Sequence, residues 1–328
     1  MTEIGDLGAP AQPPLPRFTV TLRAPELGPW RAGNTGIPGF TTRAGARPGP
    51  HVALVSLVHG NEIAGAIVME RLLAAGLRPR HGRLTMGFAN LAAFDRFDPA
   101  HPTASRFVEE DLNRLWDAPV LDGPRRSVEL DRAREMRPLI DTVDVLIDLH
   151  SMLWASEPLV LSGATAKGRD LALAIGQPDL VVADEGHVSG RRMIDYGAFA
   201  DPAAAPTAVL VEAGQHWAEP TVAMTLASVA GLLRHLDMVD QHKALPPPAP
   251  RGRPRFAEVT TVVTAATANF AFVQPFRGGD VIAARNTLIA IDGEAEVRTP
   301  HDDCLLVMPS LRPSRGHTAV RLARVRHG

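Results

Sequence analysis

The chain has 328 residues, of which 45% are hydrophobic and 21% charged, and its formal net charge is −2. This length can bury a large domain and a small one, and the composition is that of an ordinary globular enzyme. The near-zero charge gives no electrostatic case for nucleic acid or an anionic membrane as a partner. No apolar run approaches the roughly 18 residues that span a bilayer. Cys304 is the only cysteine, which excludes an intramolecular disulfide and a cysteine-rich metal site, so we expect a cytoplasmic protein.

The N-terminal residues 1–16 are acidic and rich in proline, and they lack the apolar segment of a secretory signal. We expect them to form a flexible arm. Alternating apolar and polar residues over 17–23 predict an edge strand. From there to residue 244 the pattern is that of one α/β domain.

The stretch 51–73 organises this domain. Its apolar, β-branched run over 52–58 predicts a strand buried on both faces. A turn at Gly60 and a helical period from Ile63 follow, which places His59 at the carboxyl end of the strand and Glu62 in the first helical turn. Open α/β sheets bind ligands at that edge, and an imidazole and a carboxylate three residues apart can converge there on one metal ion.

Two further buried strands end in functional side chains. The strand predicted over 143–149 ends at His150, and the strand over 207–211 ends at Glu212. The long irregular segment 90–116 carries the charged run RFVEEDLNRLWD, and loops of that length are usually functional. Other patterns predict strands over 84–89 and 180–183 and helices over 125–141, 167–176 and 220–239.

The composition changes after residue 244. Residues 245–254 (LPPPAPRGRP) predict a stiff proline-rich linker. Residues 255–328 have no helical period and contain many short β-rich runs separated by Gly, Asp and Pro, which predicts a small all-β domain. Cys304 lies in one of these apolar runs and is expected in the core.

If the three strands run parallel, His59, Glu62, His150 and Glu212 share one edge of the sheet. Two histidines and one carboxylate are the three-ligand set of catalytic zinc, which leaves the fourth position for water. A further carboxylate that is not a ligand can take the proton from that water. Asp148 lies two residues before His150 and therefore on the same strand face. It either orients an imidazole or is a structural hydrogen-bonding residue.

Four motifs occur in a particular order: HGNE (59–62), DLNR (111–114) with Arg106 seven residues before Asn113, DLH (148–150) and VEAG (211–214). In these motifs the chain resembles the succinylglutamate desuccinylase/aspartoacylase family, zinc amidohydrolases related to the M14 carboxypeptidases. The resemblance implies a zinc-carboxypeptidase-like mixed sheet flanked by helices. It also implies that the C-terminal β domain caps the active site and helps to shape the substrate pocket.

The resemblance also implies roles for individual residues. It makes His59, Glu62 and His150 the ligands of one Zn²⁺ per chain, and Glu212 the general base that becomes the proton donor. Arg106 would polarise the scissile carbonyl, and Asn113 with Arg114 would hold a substrate carboxylate. Amide hydrolysis develops negative charge on the carbonyl oxygen, which an arginine and a zinc ion stabilise. A charged run on the protein surface is the alternative reading of Arg106 and Arg114.

The chain departs from the aspartate- and glutamate-specific members. The ten residues before Glu212 contain no arginine, and Tyr196, the only tyrosine, lies well before the C-terminal domain. The resemblance implies that those members read the substrate side-chain carboxylate with an arginine shortly before the catalytic glutamate and a tyrosine of the C-terminal domain. Residues that could replace these two groups lie in the loop SGRRMIDYGAF and directly after Glu212. They are Arg191, Arg192, Tyr196, Gln215, His216 and Trp217, for each of which a surface or packing role is the alternative.

The function predicted from the sequence is zinc-dependent hydrolysis of the amide bond of a small N-acyl amino acid or related amide. Zinc and Glu212 would activate the water, and a homo-oligomer is compatible with this role. One alternative is a zinc carboxypeptidase acting on short peptides, which needs an open groove. The other is a non-catalytic binding protein of the same fold, which has no need for a carboxylate at Glu212.

Overall fold

The computed structural model describes residues 17–187, 189–248 and 252–326. The predicted N-terminal arm, residues 1–16, lies outside the described residues, as does part of the predicted linker. The chain divides into two compact units, the larger of residues 19–259 with the end of the last strand, and the smaller of residues 260–324 with residues 17 and 18. A capping role for the C-terminal β region stays a prediction.

The larger unit is a mixed sheet with helices. Its strands are β1 (Phe40–Ala44), β2 (Arg47–Ser56), β3 (His81–Phe88), β4 (Val145–Met152), β5 (Leu159–Leu161), β6 (Leu180–Ala183), β7 (Thr207–Gln215) and the first half of β8 (Arg255–Thr264). Its helices are α1 (Ile63–Ala74), α2 (Leu91–Phe94), α3 (Ala118–Leu121), α4 (Val128–Ile140), α5 (Ala166–Ile175) and α6 (Glu219–His235). Short 3-10 helices cover Gly28–Trp30, Leu112–Arg114, Met193–Asp195 and Gly197–Phe199.

The strand order in this unit is β1-β3-β2-β4-β7-β5-β6-β8. Strands β2, β4 and β7 run parallel to one another, whereas β1 and β5 are antiparallel to their neighbours β3 and β7. In the register of β4 and β7, His150 pairs with Glu212. Helices α1 and α5 each contact α6, and all three helices contact the central strands. The predicted mixed sheet flanked by helices is therefore confirmed, and the carboxyl ends of β2, β4 and β7 meet at one edge.

Strand β2 ends at Ser56, two residues earlier than the sequence pattern predicts. Leu57 is fully buried but adopts φ = 55°, a left-handed conformation that costs a residue with a side chain about 1–2 kcal/mol. Its carbonyl accepts a hydrogen bond from the backbone N–H of Asn90 at 2.8 Å. The chain thus bends before His59, and apolar character alone gave no sign of this bend.

The strand predicted over 17–23 is wrong, because these residues have no regular secondary structure. Thr21 instead donates a hydrogen bond from its hydroxyl to the carbonyl of Trp217 at 2.5 Å. Residues with alternating polarity can lie extended against a protein without pairing in a sheet. The helix predicted over 125–141 begins later, at Val128, because the hydroxyl of Ser127 caps it by accepting from the N–H of Leu130 at 3.0 Å.

The smaller unit is all β, as predicted. It contains β9 (Phe270–Phe272), β10 (Val281–Ile282), β11 (Leu288–Asp292), β12 (Ala295–Arg298), β13 (Cys304–Val307) and most of β14 (Thr318–Arg326), together with the second half of β8. The strands pair in the orders β8-β14-β13-β10 and β12-β11-β9. Cys304 is fully buried in its core with Phe276, Ile289 and Leu306. In the described part of the chain, no helix combines the length and the apolar character needed to cross a membrane.

Candidate metal centre

The loop after β2 brings His59 and Glu62 to the sheet edge. Gly60 lies where a Cβ atom would come within 2.4 Å of the Ala93 carbonyl carbon and 2.6 Å of the Ser105 carbonyl oxygen. Only glycine fits such a close approach. The N–H of Gly60 donates to the carbonyl of Arg106 at 3.0 Å. The loop therefore packs directly against the segment that carries this arginine.

His59, Glu62 and His150 form one buried cluster whose ligand atoms all lie within 4.8 Å of one another. The Nδ1 atom of His59 lies 2.7 Å from Oε1 of Glu62, and Nδ1 of His150 lies 3.0 Å from Oε2 of the same carboxylate. The two rings meet edge to face with their centroids 5.0 Å apart. The three predicted ligand side chains thus converge on one point.

The outer nitrogen of each histidine is held by a carboxylate. Nε2 of His59 lies 2.9 Å from Oδ1 of Asp111, and Nε2 of His150 lies 2.9 Å from Oδ2 of Asp148. Such a carboxylate accepts a hydrogen bond from the Nε2–H group, which leaves Nδ1 as the nitrogen that can bind a metal ion. Two imidazole nitrogens and one carboxylate oxygen are a donor set that zinc binds, so the residues present fit a single zinc ion. The sequence left two roles open for Asp148, and this contact supports the one in which it orients an imidazole.

Charges within the cluster shift the titration of its members. Burial by itself raises the pKa of Glu62, but His59 and His150 outweigh it and hold the pKa well below its usual value. Burial by itself lowers the pKa of His150, but Asp148 and Glu62 raise it well above its usual value. Glu62 is therefore ionised at neutral pH, as a metal ligand has to be.

Arg106 lies beside the cluster. Its Nη1 donates to Oε1 of Glu62 at 3.2 Å and its Nη2 to Oδ2 of Asp111 at 3.0 Å. Burial tends to raise the pKa of Asp111, but His59 and Arg106 hold it well below its usual value. The arginine side chain is 37% exposed. Asp111 thus links a metal ligand to the arginine, a connection that the motif spacing did not reveal.

The segment 108–110, which follows Arg106 in the sequence, is held by the buried carboxylate of Glu129. The sequence analysis did not predict this contact. Glu129, in the first turn of α4, accepts hydrogen bonds from the backbone N–H groups of Val108, Glu109 and Glu110 at 2.6, 3.1 and 3.2 Å. It also accepts one from Nδ2 of Asn90 at 3.0 Å. An acidic residue in a first helical turn is ordinary, so the sequence offered no sign of these contacts with a distant loop.

Glu212 lies near the end of β7, opposite His150 on the neighbouring strand, with 7% of its surface exposed. Burial lowers the pKa of Arg106, yet the carboxylates of Asp111, Glu62 and Glu212 together raise it. The pairing of Glu212 with His150 in the register of β4 and β7 brings the carboxylate to the same sheet edge as the cluster. It is not one of the three clustered ligands, and its role as the base stays a prediction.

Asn113 and Arg114 lie on the 3-10 helix Leu112–Arg114. Asn113 is buried, with its Oδ1 accepting from the N–H of Met193 at 2.8 Å and its Nδ2 3.4 Å from Oδ2 of Asp148. Arg114 donates to the Asn113 carbonyl at 2.7 Å and keeps 21% of its side chain exposed. Both residues adjoin the centre, and their contact with a substrate carboxylate stays a prediction.

Arg192 is buried between two carboxylates. Its guanidinium lies 3.1 and 2.8 Å from the two oxygens of Asp184 and donates from Nε to Asp195 at 2.6 Å. Although burial lowers the pKa of Arg192, these carboxylates raise it above its usual value. These contacts support the packing alternative for Arg192 over contact with substrate.

Tyr196 and Arg191 lie on the same loop. The hydroxyl of Tyr196 donates to Asp141 at 2.8 Å and accepts from Nε of Arg137 at 2.9 Å, which also supports a packing role. Arg191 is 57% exposed and pairs with Asp117 at 3.3 Å. In the described part of the chain neither residue contacts the clustered ligands, and substrate binding by them stays a prediction.

His216 and Trp217 adjoin the centre. The hydroxyl of Ser151 lies 2.8 Å from Nδ1 of His216, and the Ser151 N–H donates to Oε2 of Glu62 at 2.9 Å. Nε1 of Trp217 donates to the Asn61 carbonyl at 3.0 Å. Burial lowers the pKa of His216 to about 4, although the carboxylate of Glu62 acts to raise it. Both residues therefore support the loop and strand that carry the cluster.

The family model described as "Succinylglutamate desuccinylase/Aspartoacylase catalytic domain" matches residues 48–236, more than half of the chain. The chain belongs to the succinylglutamate desuccinylase/aspartoacylase family. The family is one of deacylases, so the coarse activity predicted from the sequence is supported. The match spans all four motifs, from HGNE to VEAG.

Solved structures show the same fold. Succinylglutamate desuccinylase from Vibrio parahaemolyticus is 16% identical with a TM-score of 0.65, over 88% of this chain and 87% of that chain. The enzyme from Vibrio cholerae is 17% identical with a TM-score of 0.65, over 89% and 87%. The product-bound ectoine utilization protein EutE (DoeB) from Ruegeria pomeroyi is 17% identical with a TM-score of 0.59, over 88% of each chain. No curated protein matches the chain in sequence.

Proposed function

We propose that the protein is a zinc-dependent amidohydrolase that removes the acyl group from a small N-acyl amino acid or related amide. The observation that carries this proposal is the buried cluster of His59, Glu62 and His150, in which each histidine is held by its own carboxylate. One zinc ion bound there would lower the pKa of a water molecule and polarise a carbonyl group.

The protein's own residues would move the protons and bind the developing charge. Glu212 takes a proton from the attacking water as its oxygen bonds to the acyl carbon. Arg106 donates hydrogen bonds to the carbonyl oxygen as negative charge develops there, which is worth a few kcal/mol, or roughly 10²–10³-fold in rate. Glu212 then returns its proton to the leaving nitrogen as the C–N bond breaks. The products are a carboxylic acid and a free amine.

The substrate is proposed to differ from those of the strict aspartate- and glutamate-specific members. No arginine precedes Glu212 within ten residues, and the two arginines of the 191–192 loop pair with Asp117, Asp184 and Asp195. Arg114 remains as the guanidinium that would fork onto a substrate carboxylate. The cytoplasmic location and a homo-oligomeric state stay predictions from the sequence.

Activity measurements distinguish this proposal from the two alternatives, a carboxypeptidase and a non-catalytic binding protein. A carboxypeptidase would release amino acids from the C-terminus of short peptides, and a binding protein would turn over nothing. A binding protein also has no use for a carboxylate that adjoins the metal ligands without joining them, which is the position of Glu212.

The test is release of free amine by the zinc-loaded protein from N-acetyl, N-formyl and N-succinyl amino acids and amides, with short peptides in parallel. We expect release from a narrow subset of the N-acyl compounds and its loss on chelation. Turnover of peptides alone would establish the carboxypeptidase instead, and a silent panel with no zinc bound would contradict the proposal.

A further inference from the structure

His216 is tied to the metal centre by a short series of contacts. It follows β7 directly, and its N–H donates to the carbonyl of Met152 at the end of β4, at 2.9 Å. Its Nδ1 lies 2.8 Å from the hydroxyl of Ser151, whose N–H donates in turn to Oε2 of Glu62 at 2.9 Å. The ring packs edge to face on Trp217 with the centroids 5.2 Å apart. The imidazole is therefore held in one orientation.

These contacts select one tautomer. Among the described residues, Nδ1 of His216 is the one hydrogen-bond partner of the Ser151 hydroxyl. If the hydroxyl donates, its proton is satisfied and the ring proton lies on Nε2. If Nδ1 donates instead, a buried hydroxyl proton is left without an acceptor, which is costly. The geometry therefore selects the Nε2–H form, and Nε2 has no hydrogen-bond partner within the described residues.

The ring is also uncharged. His216 is 3% exposed, and its burial outweighs the opposing charge of Glu62 and, with Arg106, His59 and His150, lowers its pKa to about 4. A neutral N–H is suited to an uncharged acceptor, whereas Arg106 and Arg114 are suited to an oxyanion or a carboxylate. A site that provides such a donor discriminates strongly against a substrate that lacks the acceptor, because the donor is then left unpaired.

We propose that His216 is a specificity-determining residue that donates a hydrogen bond from Nε2 to an uncharged acceptor on the substrate, such as an amide carbonyl or a hydroxyl. Ser151 is the positioning residue that fixes the tautomer. The proposal rests on the proposed function, because it concerns the substrate of the same site.

The tautomer can be measured without any substrate. Long-range ¹H–¹⁵N spectra of the ¹⁵N-labelled, zinc-loaded protein report the protonation of each ring nitrogen, and the His216 signals are assigned by their loss in His216→Gln. We expect a neutral Nε2–H form at pH 7 that persists to about pH 5.5, and partial conversion to the other tautomer in Ser151→Ala. An Nδ1–H form, or a charged ring at pH 7, would overturn the proposal.

Kinetics on the best N-acyl substrate of the panel test the contact itself. We expect His216→Phe to lower kcat/KM about tenfold or more, mainly through KM, with one zinc still bound per chain. His216→Gln, which keeps a neutral N–H donor, should recover much of the loss. The double variant with Ser151→Ala should be no worse than His216→Phe alone. His235→Phe, at the exposed end of α6, is the control.

Two kinetic results would overturn the proposal: a His216→Phe variant within twofold of the wild type, or one that loses zinc along with activity. If the wild-type protein turns over none of the panel and binds no zinc, the proposed function fails. The NMR measurement then still decides whether His216 presents a neutral donor.

Discussion

Glu212 is the residue on which the proposed chemistry depends most. It pairs in register with His150, adjoins the clustered ligands and is not one of them. We expect Glu212→Gln to lower amine release by 10²-fold or more, because the amide cannot accept the proton of the attacking water. The zinc content should be unchanged. A variant that retained more than about a tenth of the activity would show that another group is the base.

At the residue scale, the sequence motifs were sufficient to predict which side chains gather at the centre. His59 follows β2, whereas His150 and Glu212 lie near the carboxyl ends of β4 and β7, and parallel strands bring these ends to one edge. The link from His59 through Asp111 to Arg106 was not predictable, because it joins residues about 50 positions apart through side-chain geometry. The left-handed Leu57 was equally hidden, since its apolar side chain fits the strand pattern.

At the element scale, α4 and the 108–110 segment are held together by Glu129. We expect Glu129→Gln to lower the free energy of unfolding by about 1–3 kcal/mol, because one acceptor for buried N–H donors becomes a donor itself. The rate of amine release should fall as well, since this segment directly follows Arg106 in the sequence. Urea denaturation and amine release measure the two effects. Glu135→Gln, on the same helix with 44% of its side chain exposed, is the control and should match the wild type. Equal stability of the two variants would contradict this role of Glu129.

The loop 184–199 is anchored by the buried pair of Arg192 with Asp184. Arg192→Met removes the guanidinium that forms a buried ion pair with Asp184, so we expect a loss of about 3–5 kcal/mol in the free energy of unfolding. Arg191→Met, at a 57% exposed side chain, should cost within about 0.5 kcal/mol. Thermal or urea unfolding compares the two variants. A stable Arg192→Met protein with a raised KM would instead restore Arg192 as a substrate-binding residue.

Periodicity predicted the elements better than it predicted their ends. The three central strands and the helices that cover them follow from unbroken apolar runs and 3.6-residue spacing. Their limits depend on single contacts, such as the Ser127 cap of α4 and the bend at Leu57. The prediction of a strand over 17–23 was wrong for a related reason. Its alternation describes an extended segment, and only tertiary contacts decide whether such a segment joins a sheet.

At the scale of the whole molecule, the single cysteine reports on the opening of the smaller unit. Cys304 is fully buried, and burial raises the pKa of its thiol to about 11. Because thiolate is the reactive form, we expect no labelling by a thiol reagent between pH 7 and 9 in the native protein. Labelling should become complete in denaturant, with one thiol per chain. Rapid labelling of the native protein would contradict the burial of Cys304.

The fold is shared with relatives that are only 16–17% identical. Cores tolerate many apolar exchanges as long as volume and pattern are kept, so the same sheet can persist at low sequence identity. For that reason the sequence was enough to place the chain in its family and to predict its mixed sheet and β region. The partners of loop residues such as Arg192 and Tyr196 were not predictable in the same way, because they depend on tertiary contacts that only a three-dimensional structure shows.

The central claim, a zinc-dependent deacylase, is tested most directly by titrating the metal-free protein with zinc while following amine release from the best N-acyl substrate. We expect the rate of amine release to rise linearly with added zinc and to reach a plateau at one zinc per chain. His150→Ala should neither bind the metal tightly nor gain activity. Full activity before zinc is added, or activity that does not depend on filling this one site, would contradict it.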